Sequence, residues 1–440
     1  MRGEAYQPQP GLQATLRRMV DPDYGLANRF VELGAHADAP DLFVTCVEGG
    51  PASYMVDHAQ PVWANCSNAS GAAYQRRDAC WATLGELAER YCASVYERDA
   101  MLVANAKMLP GPTLPVENMI LFSEAQYSSP AFPFHRYAID ETYLWQKGQN
   151  LTSGGEVFAP IQLLYLSNEW AHQMLMQTVP TGLACHSDPE AARLSAILEL
   201  VERDGFAAMW ALGRGLPRLH LSATDRLHLS LQTQKALENT VLRVSLYAIP
   251  NEFGVANIVA AVEHDTLRFG AFGAAAALSP YRAIEKAVLE AQHTWVGLAQ
   301  SMPMIGHQDR PAPQAGDIKT PHDHAYHYMH EENWDTLSWF LSGGQSLGLD
   351  ELCVTGRMDT SEALIGRLAE HGFETYLFDL TTPDIQSLGL QVVRAIVPGL
   401  QPLCFGAGLV TQDRRRLQQL ARLWNCAVPS ILTNQPHPFP

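Results

Sequence analysis

The 440-residue sequence lacks basic stretches. Aspartate and glutamate number 46 against 30 lysines and arginines, which gives a formal net charge of −16 at pH 7. A protein that binds nucleic acid needs clustered positive side chains to neutralise phosphates. The composition therefore argues against a nucleic-acid partner.

Paired cysteines and long apolar runs are also missing. The eight cysteines are scattered and contain no Cys-x-x-Cys pair, so neither a structural zinc signature nor a disulfide framework is indicated. The first residues lack the apolar run of a signal peptide, and no window is apolar over the length of a membrane span. We therefore expect a cytoplasmic protein without a membrane partner.

One short pattern recurs along the chain. It is Glu-Leu-x-Glu-Arg at 86–90 and at 199–203, and a degenerate copy begins at Glu290. Each copy follows a Gly/Ala-rich stretch, which predicts a strand end, a turn and an amphipathic helix used three times. We predict an α/β (or α+β) fold, with the helices at roughly 76–96, 189–211 and 280–300.

The repeated glutamates allow two interpretations. Residues three apart share a helix face, so Glu86 with Glu89, and Glu199 with Glu202, each form a carboxylate pair. The first interpretation is a surface ion pair between each leading glutamate and the arginine four residues later. The second notes that carboxylates in apolar helices are costly unless they are paired or bind a metal. Because Mg²⁺ binds a few carboxylates together with phosphates, this interpretation predicts a Mg²⁺-nucleotide site between several helices.

The remaining segments give weaker expectations. Residues 1–18 are polar and predict a loosely ordered tail, and 105–150 carries five prolines and predicts mostly loop. A helix is expected near 411–424. Strands are expected at 42–46, 161–166, 241–247, 256–262, 374–380 and 392–397.

Four motifs in order resemble those of the YcaO proteins, ATP-dependent enzymes that activate peptide backbone amides. They are Ser70-Gly71 with 85–90, 181–184 with 199–204, Lys286-xxx-Glu290-xx-His293, and Arg394-xx-Val397-Pro398-Gly399. The resemblance covers nearly the whole chain. It implies a YcaO-like fold, with strand-turn-helix units around an internal Mg²⁺-nucleotide site. The implied domains are a tail at 1–18, a YcaO domain at 19–430 and a Pro-rich tail at 431–440 that enters the active site.

The resemblance also implies site residues and the cofactors ATP and Mg²⁺. The implied Mg²⁺ ligands are Glu86, Glu89, Glu199, Glu202 and Glu290. The implied nucleotide contacts are Ser70, Arg90, Ser195, Arg203 and Lys286. His293 is a catalytic candidate, and the alternative for it is a core histidine hydrogen-bonded to a neighbour.

Some positions depart from the family pattern. Ala72 replaces a common lysine, and Ala82 replaces a hydroxyl often found four residues before the first glutamate. Lys286 stands where glutamine or arginine is usual, and His293 stands where glutamine is usual. Lysine can meet a phosphate as a point charge but without bidentate geometry.

The sequence ends Pro436-His437-Pro438-Phe439-Pro440. Alternating prolines form a stiff segment, and one interpretation is a disordered tail. YcaO cyclodehydratases that form azolines carry a terminal Pro-x-Pro-x-Pro. The resemblance therefore implies that this tail enters the active site and that the Pro440 carboxylate assists the reaction. The same feature separates azoline formation from the thioamide and amidine chemistry of other YcaO enzymes.

The function implied is an ATP-dependent cyclodehydratase subunit. It would convert Cys, Ser or Thr of a ribosomal precursor peptide to thiazoline or oxazoline by phosphorylating the backbone amide oxygen. No leader-binding module is apparent before residue 20, so we expect an E1-like or leader-binding partner protein. An FMN-dependent azoline dehydrogenase and a homodimer within a hetero-complex are further expectations.

A second hypothesis is a non-catalytic scaffold or peptide-presenting subunit, which Ala72 and Ala82 motivate. The histidines between 322 and 330 have spacings that could bind zinc. They lie in a Pro-rich connection, however, and we expect no metal there.

Overall fold

The computed structural model describes most of the chain. The described residues are 11–39, 41–48, 69–119, 121–130, 132–166, 173–267, 269–305, 314–342, 345–352, 358–406, 409–411, 414–433 and 435–439.

The described residues form a mixed α/β fold. The helices lie at Leu12–Met19 (α1), Arg76–Cys92 (α2), Glu124–Tyr127 (α3), Pro189–Ala211 (α4), Ala223–Leu227 (α5), Leu231–Glu238 (α6), Pro280–Ile305 (α7), Pro321–His327 (α8), Glu331–Asp335 (α9), Ser338–Leu341 (α10), Ser361–Glu370 (α11), Pro383–Gln386 (α12) and Arg415–Leu423 (α13). The strands lie at Arg29–Leu33 (β1), Phe43–Glu48 (β2), Ala69–Ala73 (β3), Leu102–Asn105 (β4), Thr142–Asn150 (β5), Glu156–Pro160 (β6), Leu183–His186 (β7), Arg218–His220 (β8), Leu242–Ala248 (β9), Ala256–His264 (β10), Gly270–Ala277 (β11), Ser346–Gly348 (β12), Tyr376–Asp379 (β13) and Gln391–Ile396 (β14).

The strands form three sheets. The first is antiparallel in the order β1-β2-β3, and the second has the order β11-β10-β9-β8-β12. The third has the order β4-β5-β13-β14-β7, with β6 also paired to β5. Strands β3, β7 and β11 each lie at an edge of a different sheet. An edge strand leaves backbone N–H groups without a ladder partner, and these three edges therefore offer donors to whatever packs beside them.

The three predicted strand-turn-helix units are confirmed as β3-α2, β7-α4 and β11-α7. The Gly/Ala-rich strands have a steric cause. A Cβ atom at Gly71 would lie 2.4 Å from the backbone nitrogen of Thr83, and one at Gly273 would lie 2.2 Å from that of Ala291. Helices α2 and α7 therefore pack directly against the backbone of their own strands, and only a residue without a side chain allows that approach.

Helix α4 connects two parts of the core. Its first half packs Ile197 and Val201 against Val393 of β14. Its second half packs Phe206 and Trp210 into a separate aromatic cluster. The helix is apolar on nearly every side, which is typical of a buried helix. Its second half, from Val201 on, is buried on nearly every side, so Glu202 and Asp204 lie in the interior, whereas Ser195 of the first half is exposed.

The expectation of a loosely ordered tail at 1–18 is wrong for α1, and the expectation of mostly loop at 105–150 holds only as far as β5. Helix α1 forms inside the segment expected to be loosely ordered, because Thr15 and Met19 are buried against the rest of the fold. Strand β5 forms inside the segment expected to be loop, and Tyr143, Leu144 and Trp145 are fully buried there. The prolines of that segment precede β5.

The strand expected at 161–166 is also wrong. Strand β6 ends at Pro160, and Ile161–Leu163 form a 3-10 turn. The whole apolar run is buried, and a short buried apolar run does not distinguish a strand from a turn. Within the described residues, no helix is long and apolar enough to cross a membrane.

Candidate functional site

Each leading glutamate is held by the edge strand of its own unit. In all three units a backbone N–H at that strand donates to one carboxylate oxygen. The pairs are Ser70 N–H with Glu86 Oε2 at 2.9 Å, Gly182 N–H with Glu199 Oε2 at 3.0 Å, and Ala274 N–H with Glu290 Oε2 at 3.2 Å. The sheet edges are therefore occupied by carboxylates.

The second glutamate of a unit reaches the edge strand of the next unit. Cys185 N–H on β7 donates to Glu89 Oε1 at 2.7 Å, and Ala276 N–H on β11 donates to Glu202 Oε2 at 3.2 Å. Helix α7 packs beside β3 in turn. The three units therefore succeed one another around a shared centre, and their carboxylates meet there.

Burial and mutual repulsion disfavour ionisation of three of these carboxylates, Glu89, Glu202 and Glu290. Burial raises the pKa of Glu89 to about 8, although the Cys185 N–H opposes the rise. Burial likewise raises the pKa of Glu202 to about 8 against the opposing charge of Arg203, and raises that of Glu290 to about 6. Neighbouring glutamates of the other units add to all three shifts. A bound cation would reverse this cost.

The arginines of the motifs lie beside these carboxylates. Arg90 Nη2 lies 2.9 Å from Glu86 Oε1, so these two residues form the ion pair that the first interpretation predicts. Arg203 is more buried and lies between two glutamates, with Nη2 3.6 Å from Glu199 Oε1 and Nε 3.3 Å from Glu202 Oε1. Unlike a surface pair, this arrangement holds one cation among several buried carboxylates.

Equivalent positions in the three helices carry Ala82, Ser195 and Lys286. Each precedes the leading glutamate by four residues, and each side chain is exposed. Burial raises the pKa of Glu290, and the positive charge of Lys286 is close enough to oppose that rise. Two units thus present a polar group at this position toward solvent, whereas the first unit presents a methyl group.

His293 occupies the place of the second glutamate in the third unit. Burial lowers the pKa of its imidazole, and Glu86 of the first unit opposes that shift. In the described part of the chain the His293 ring has no hydrogen-bond partner. The alternative interpretation, a core histidine hydrogen-bonded to a neighbour, is therefore not supported. Gln292 instead accepts a hydrogen bond from Tyr74 at 2.9 Å.

Among the described residues, no three His, Cys, Asp or Glu side chains lie close enough together to hold a metal ion by themselves. The second carboxylate oxygens of Glu89 and Glu290, however, have no partner among those residues. Hard divalent cations such as Mg²⁺ take one or two carboxylates and complete their shell with water and phosphate oxygens. The carboxylates therefore fit Mg²⁺ that arrives with a nucleotide, and they do not form a closed protein-only cage.

The C-terminal segment 436–439 is buried beside α4. The Phe439 ring is 1% exposed and lies 4.1 Å from the Phe206 ring, centre to centre. The guanidinium carbon of Arg203 lies 5.3 Å from the centre of the Phe439 ring. Pro440 lies outside the described residues, and the role expected for it stays a prediction.

Two histidines hold this segment. Gly406 N–H donates to His324 Nε2 at 3.0 Å, so the proton of this ring is on Nδ1, which donates to the His437 carbonyl at 2.8 Å. His437 Nε2 in turn lies 3.1 Å from the Cys404 carbonyl. Burial lowers the pKa of His324 to about 4, which keeps the ring neutral. Since α8 carries His324, the stretch expected to be only a connection forms part of the site's wall.

Sequence reasoning missed three features of the site. The edge N–H donors could be found only from the sheet order, and the contact of Phe439 with Arg203 only from the fold. Arg394 belongs to a motif seen in the sequence but was not given a role. It is buried on β14 beside the second unit.

Residues 70–401 match a protein-family model described as YcaO cyclodehydratase, ATP- and Mg²⁺-binding. Among curated proteins, none matches this chain. Solved structures give further similarities. A heterocyclase in complex with substrate and cofactor is 19% identical with a TM-score of 0.72, over 98% of this chain and 58% of that one.

Two other solved structures share the fold. YcaO from Methanopyrus kandleri, bound with AMPPCP and Mg²⁺, is 19% identical with a TM-score of 0.61, over 89% of this chain and 91% of that one. The E. coli microcin synthetase McbBCD complex with pro-MccB17 bound is 11% identical with a TM-score of 0.56, over 84% of this chain and 86% of that one. At these identities the similarity establishes the architecture predicted from the repeats.

Proposed function

This chain belongs to the YcaO family of ATP- and Mg²⁺-binding cyclodehydratases, and from that premise we propose that it is an ATP-dependent heterocyclase subunit. Its substrate would be a peptide whose Cys, Ser or Thr side chains become thiazoline or oxazoline rings. The contact between Phe439 and Arg203 carries the proposal, because it joins the Pro-rich C-terminal segment to the carboxylate site.

The carboxylates support the nucleotide part of the proposal. Mg²⁺, when bound, would offset the charge of the phosphates and the negative charge that develops on the amide oxygen. Glu86, Glu89, Glu199, Glu202 and Glu290 would hold it. Their N–H partners fix one oxygen of each, which orients the other oxygen before the cation arrives.

Cationic and hydroxyl groups of the chain would hold the phosphates. They are Ser70, Arg90, Ser195, Arg203 and Lys286. The exposed positions of Ser195 and Lys286 leave both side chains free to approach a ligand from the solvent side. Arg203 is fixed by Glu199 and Glu202, so it supplies a positive charge at one place rather than a mobile one.

In the proposed reaction the peptide thiol or hydroxyl attacks the preceding amide carbon. The amide oxygen then accepts the γ-phosphoryl group of ATP, ADP departs, and phosphate leaves as the ring C=N bond forms. Two protons are released, one from the thiol or hydroxyl and one from the amide. His293 is suited to accept one of them, because burial lowers its pKa and leaves the ring neutral at pH 7.

The peptide and its presentation are part of the proposal. A separate leader-binding or E1-like protein would deliver the precursor peptide, and an FMN-dependent dehydrogenase would oxidise the azolines. We propose that the chain acts as a homodimer within that complex.

The test mixes the full chain with its partner protein, ATP, Mg²⁺ and a Cys/Ser-rich precursor peptide. We expect phosphate release that depends on the peptide, with loss of one water from the peptide for each ring. Glu199→Ala should abolish both, and deletion of residues 436–440 should abolish ring formation. Glu124→Ala, which removes an exposed carboxylate paired with Arg136, is the matched control and should leave turnover unchanged.

Three results would contradict the proposal. Normal turnover by Glu199→Ala would remove the glutamates from the reaction. Replacement of the amide oxygen by sulfur would indicate thioamide chemistry, and condensation of the amide with an amine rather than with a Cys, Ser or Thr side chain would indicate amidine chemistry. Peptide delivery without any ATP turnover would favour the scaffold hypothesis. The methyl group of Ala82, at the exposed position where the other units carry Ser195 and Lys286, supports that hypothesis.

A further inference from the structure

The C-terminal segment has few backbone groups that can donate a hydrogen bond. Proline has no N–H, and prolines stand at 436, 438 and 440, so every second residue there lacks a donor. Residues 436–439 are nevertheless buried, and buried carbonyl oxygens need hydrogen-bond partners. Other parts of the chain therefore have to supply the donors that hold this segment.

Three consecutive carbonyls at the start of the segment each accept a hydrogen bond from a side chain that carries a ring. The three donor side chains are buried, and they lie on α4, on α8 and directly after α8. The bonds run from Trp210 Nε1 to the Gln435 carbonyl at 2.9 Å, from the Tyr328 hydroxyl to the Pro436 carbonyl at 2.5 Å, and from His324 Nδ1 to the His437 carbonyl at 2.8 Å. Together the three side chains form a groove of donors along the chain, the donor groove.

The side chains at 437 and 439 fix the register of the segment in this groove. The centre of the His437 ring lies 4.2 Å from that of His324, and Phe439 packs at 4.1 Å against Phe206. A shift of the segment by one residue would place a proline where each of these two rings now lies. The segment therefore reaches Arg203 at one defined place.

The chemistry of the donor groove matches a known way of binding proline-rich peptides. Such peptides dock in grooves lined by aromatic side chains, and they lose little conformational entropy because prolines already restrict them. Tryptophan and tyrosine suit this task, since each has an apolar ring and one hydrogen-bond donor at its edge. None of these contacts requires the bound peptide to be joined to the rest of the chain.

We propose that Trp210, Tyr328 and His324 form a binding site for a proline-rich peptide. In this protein the ligand is its own stretch 435–440, and the donor groove places residue 440 for ring formation. The three donors are positioning residues, because they act through the segment that they hold. The proposal rests on the proposed function and deepens it, since it assigns the residues that set the place of the segment.

The first test measures peptide binding to the full chain with its own segment displaced. Phe439→Asp puts a charge where an apolar ring is buried, so the segment should leave the donor groove. The probe is a fluorescently labelled peptide with the sequence of residues 435–440. It is added to Phe439→Asp alone and to Phe439→Asp combined with Tyr328→Phe or with Tyr165→Phe. Tyr165 is the matched control, because its buried hydroxyl donates to Gln146 at 2.5 Å in the core cluster of α2.

We expect the peptide to bind Phe439→Asp but not wild type, whose attached segment competes at a high effective concentration. Added Tyr328→Phe should raise the peptide Kd about fivefold, as for loss of one hydrogen bond, and added Tyr165→Phe should leave it within about twofold. The peptide should also restore ring formation by Phe439→Asp. The same peptide ending in an amide should bind equally well without restoring ring formation, because the proposed function assigns that step to a carboxylate.

The second test leaves the segment in place and measures turnover of the full chain. Trp210→Phe and Tyr328→Phe each remove one donor and keep an aromatic ring. Each should lower kcat for ring formation about threefold or more, since a segment held by fewer bonds places residue 440 less accurately. The KM for the precursor peptide and the Kd for a non-hydrolysable ATP analogue should stay within about twofold. Tyr165→Phe should leave all three quantities within about twofold.

The outcomes separate the donor groove from the proposed function. Failure of the peptide to bind a Phe439→Asp chain that still binds nucleotide would overturn the donor groove. Equal weakening by Tyr328→Phe and Tyr165→Phe would overturn it too. An unchanged kcat in both Trp210→Phe and Tyr328→Phe would do the same, and this second test decides alone if Phe439→Asp does not fold. Peptide binding as expected, with no ring formation by the wild type, would overturn the proposed function and confirm the groove as a peptide site.

Discussion

Helix α4 carries two buried carboxylates that differ in their surroundings. Asp204 is 1% exposed, and it accepts hydrogen bonds from Arg416 and from the Gln401 N–H at 2.7 Å. Glu202, two residues earlier, is 7% exposed and accepts one backbone N–H beside Arg203. Residues two apart point to different sides of a helix, so α4 serves two environments.

The difference separates a structural network from the proposed binding site. The Asp204 network supplies donors to both Asp204 oxygens and holds α13 against α4. The Glu202 region brings several carboxylates together with too few cations, and burial raises the pKa of Glu202 to about 8. Strain of this kind in a folded protein marks a place that a ligand completes.

The largest effect is expected in the structural network. Asp204→Ala leaves Arg416 buried with only Glu252 as a charged partner, so the free energy of unfolding should fall by about 3–5 kcal/mol. Denaturant unfolding of the ligand-free protein measures this change. A loss below about 1 kcal/mol would mean that the network does not carry the stability assigned to it.

The next largest loss of stability is expected from a substitution in the C-terminal segment. Phe439→Ala removes a fully buried ring, and stability should fall by about 2 kcal/mol. Phe439→Leu is the control that keeps most of the apolar volume, and it should lose less than half as much. Equal losses in the two variants would show that the ring contact with Arg203, rather than apolar burial, holds the segment.

In the glutamate site, by contrast, a substitution should raise the stability of the ligand-free protein. Glu202 has a folded-state pKa above its unfolded value, so its ionisation lowers stability progressively as pH rises from about 4.5 to about 8. Glu202→Gln removes that cost, and the ligand-free variant should be more stable than wild type by about 1 kcal/mol at pH 8. Unfolding in a metal chelator at pH 5 and pH 8 measures the difference. A variant less stable than wild type at both values would contradict the interpretation.

A pH effect of similar size and opposite sign is expected at His324, which donates to the C-terminal segment. Burial lowers the pKa of His324 to about 4, so the folded state disfavours its protonation, and stability should decline as pH falls from about 6.5 to about 4. His324→Asn keeps a donor for the His437 carbonyl but cannot be protonated. Its stability should vary less over this range, by about 1 kcal/mol, and an identical pH profile would contradict the assignment.

The repeat predicted most of the fold around the site. Three helices and the strands before them follow from the spacing of Glu86, Glu199 and Glu290, and helix α4 has the predicted bounds. The small residues of those strands are explained by the close approach at Gly71 and Gly273. Both features depend on residues that are close together in the sequence, so they can be predicted without knowledge of the rest of the fold.

Other features depend on contacts between distant segments. Strand β5 and helix α1 form because neighbours bury them, and propensity alone does not indicate that. The bonds from Cys185 to Glu89 and from Ala276 to Glu202 need the order of the sheets. For the same reason, the sequence places Arg394 in a motif but does not show that it lacks the carboxylate partners that Arg416 has.

The most direct measurement compares the shift in unfolding temperature caused by Mg²⁺ with a non-hydrolysable ATP analogue in wild type, Glu202→Gln and Asp204→Asn. We expect a clear upward shift in wild type and a similar shift in Asp204→Asn, from a lower starting temperature. Glu202→Gln should start at a higher temperature and show little shift. A full shift in Glu202→Gln together with a lost shift in Asp204→Asn would contradict the division between the binding site and the structural network.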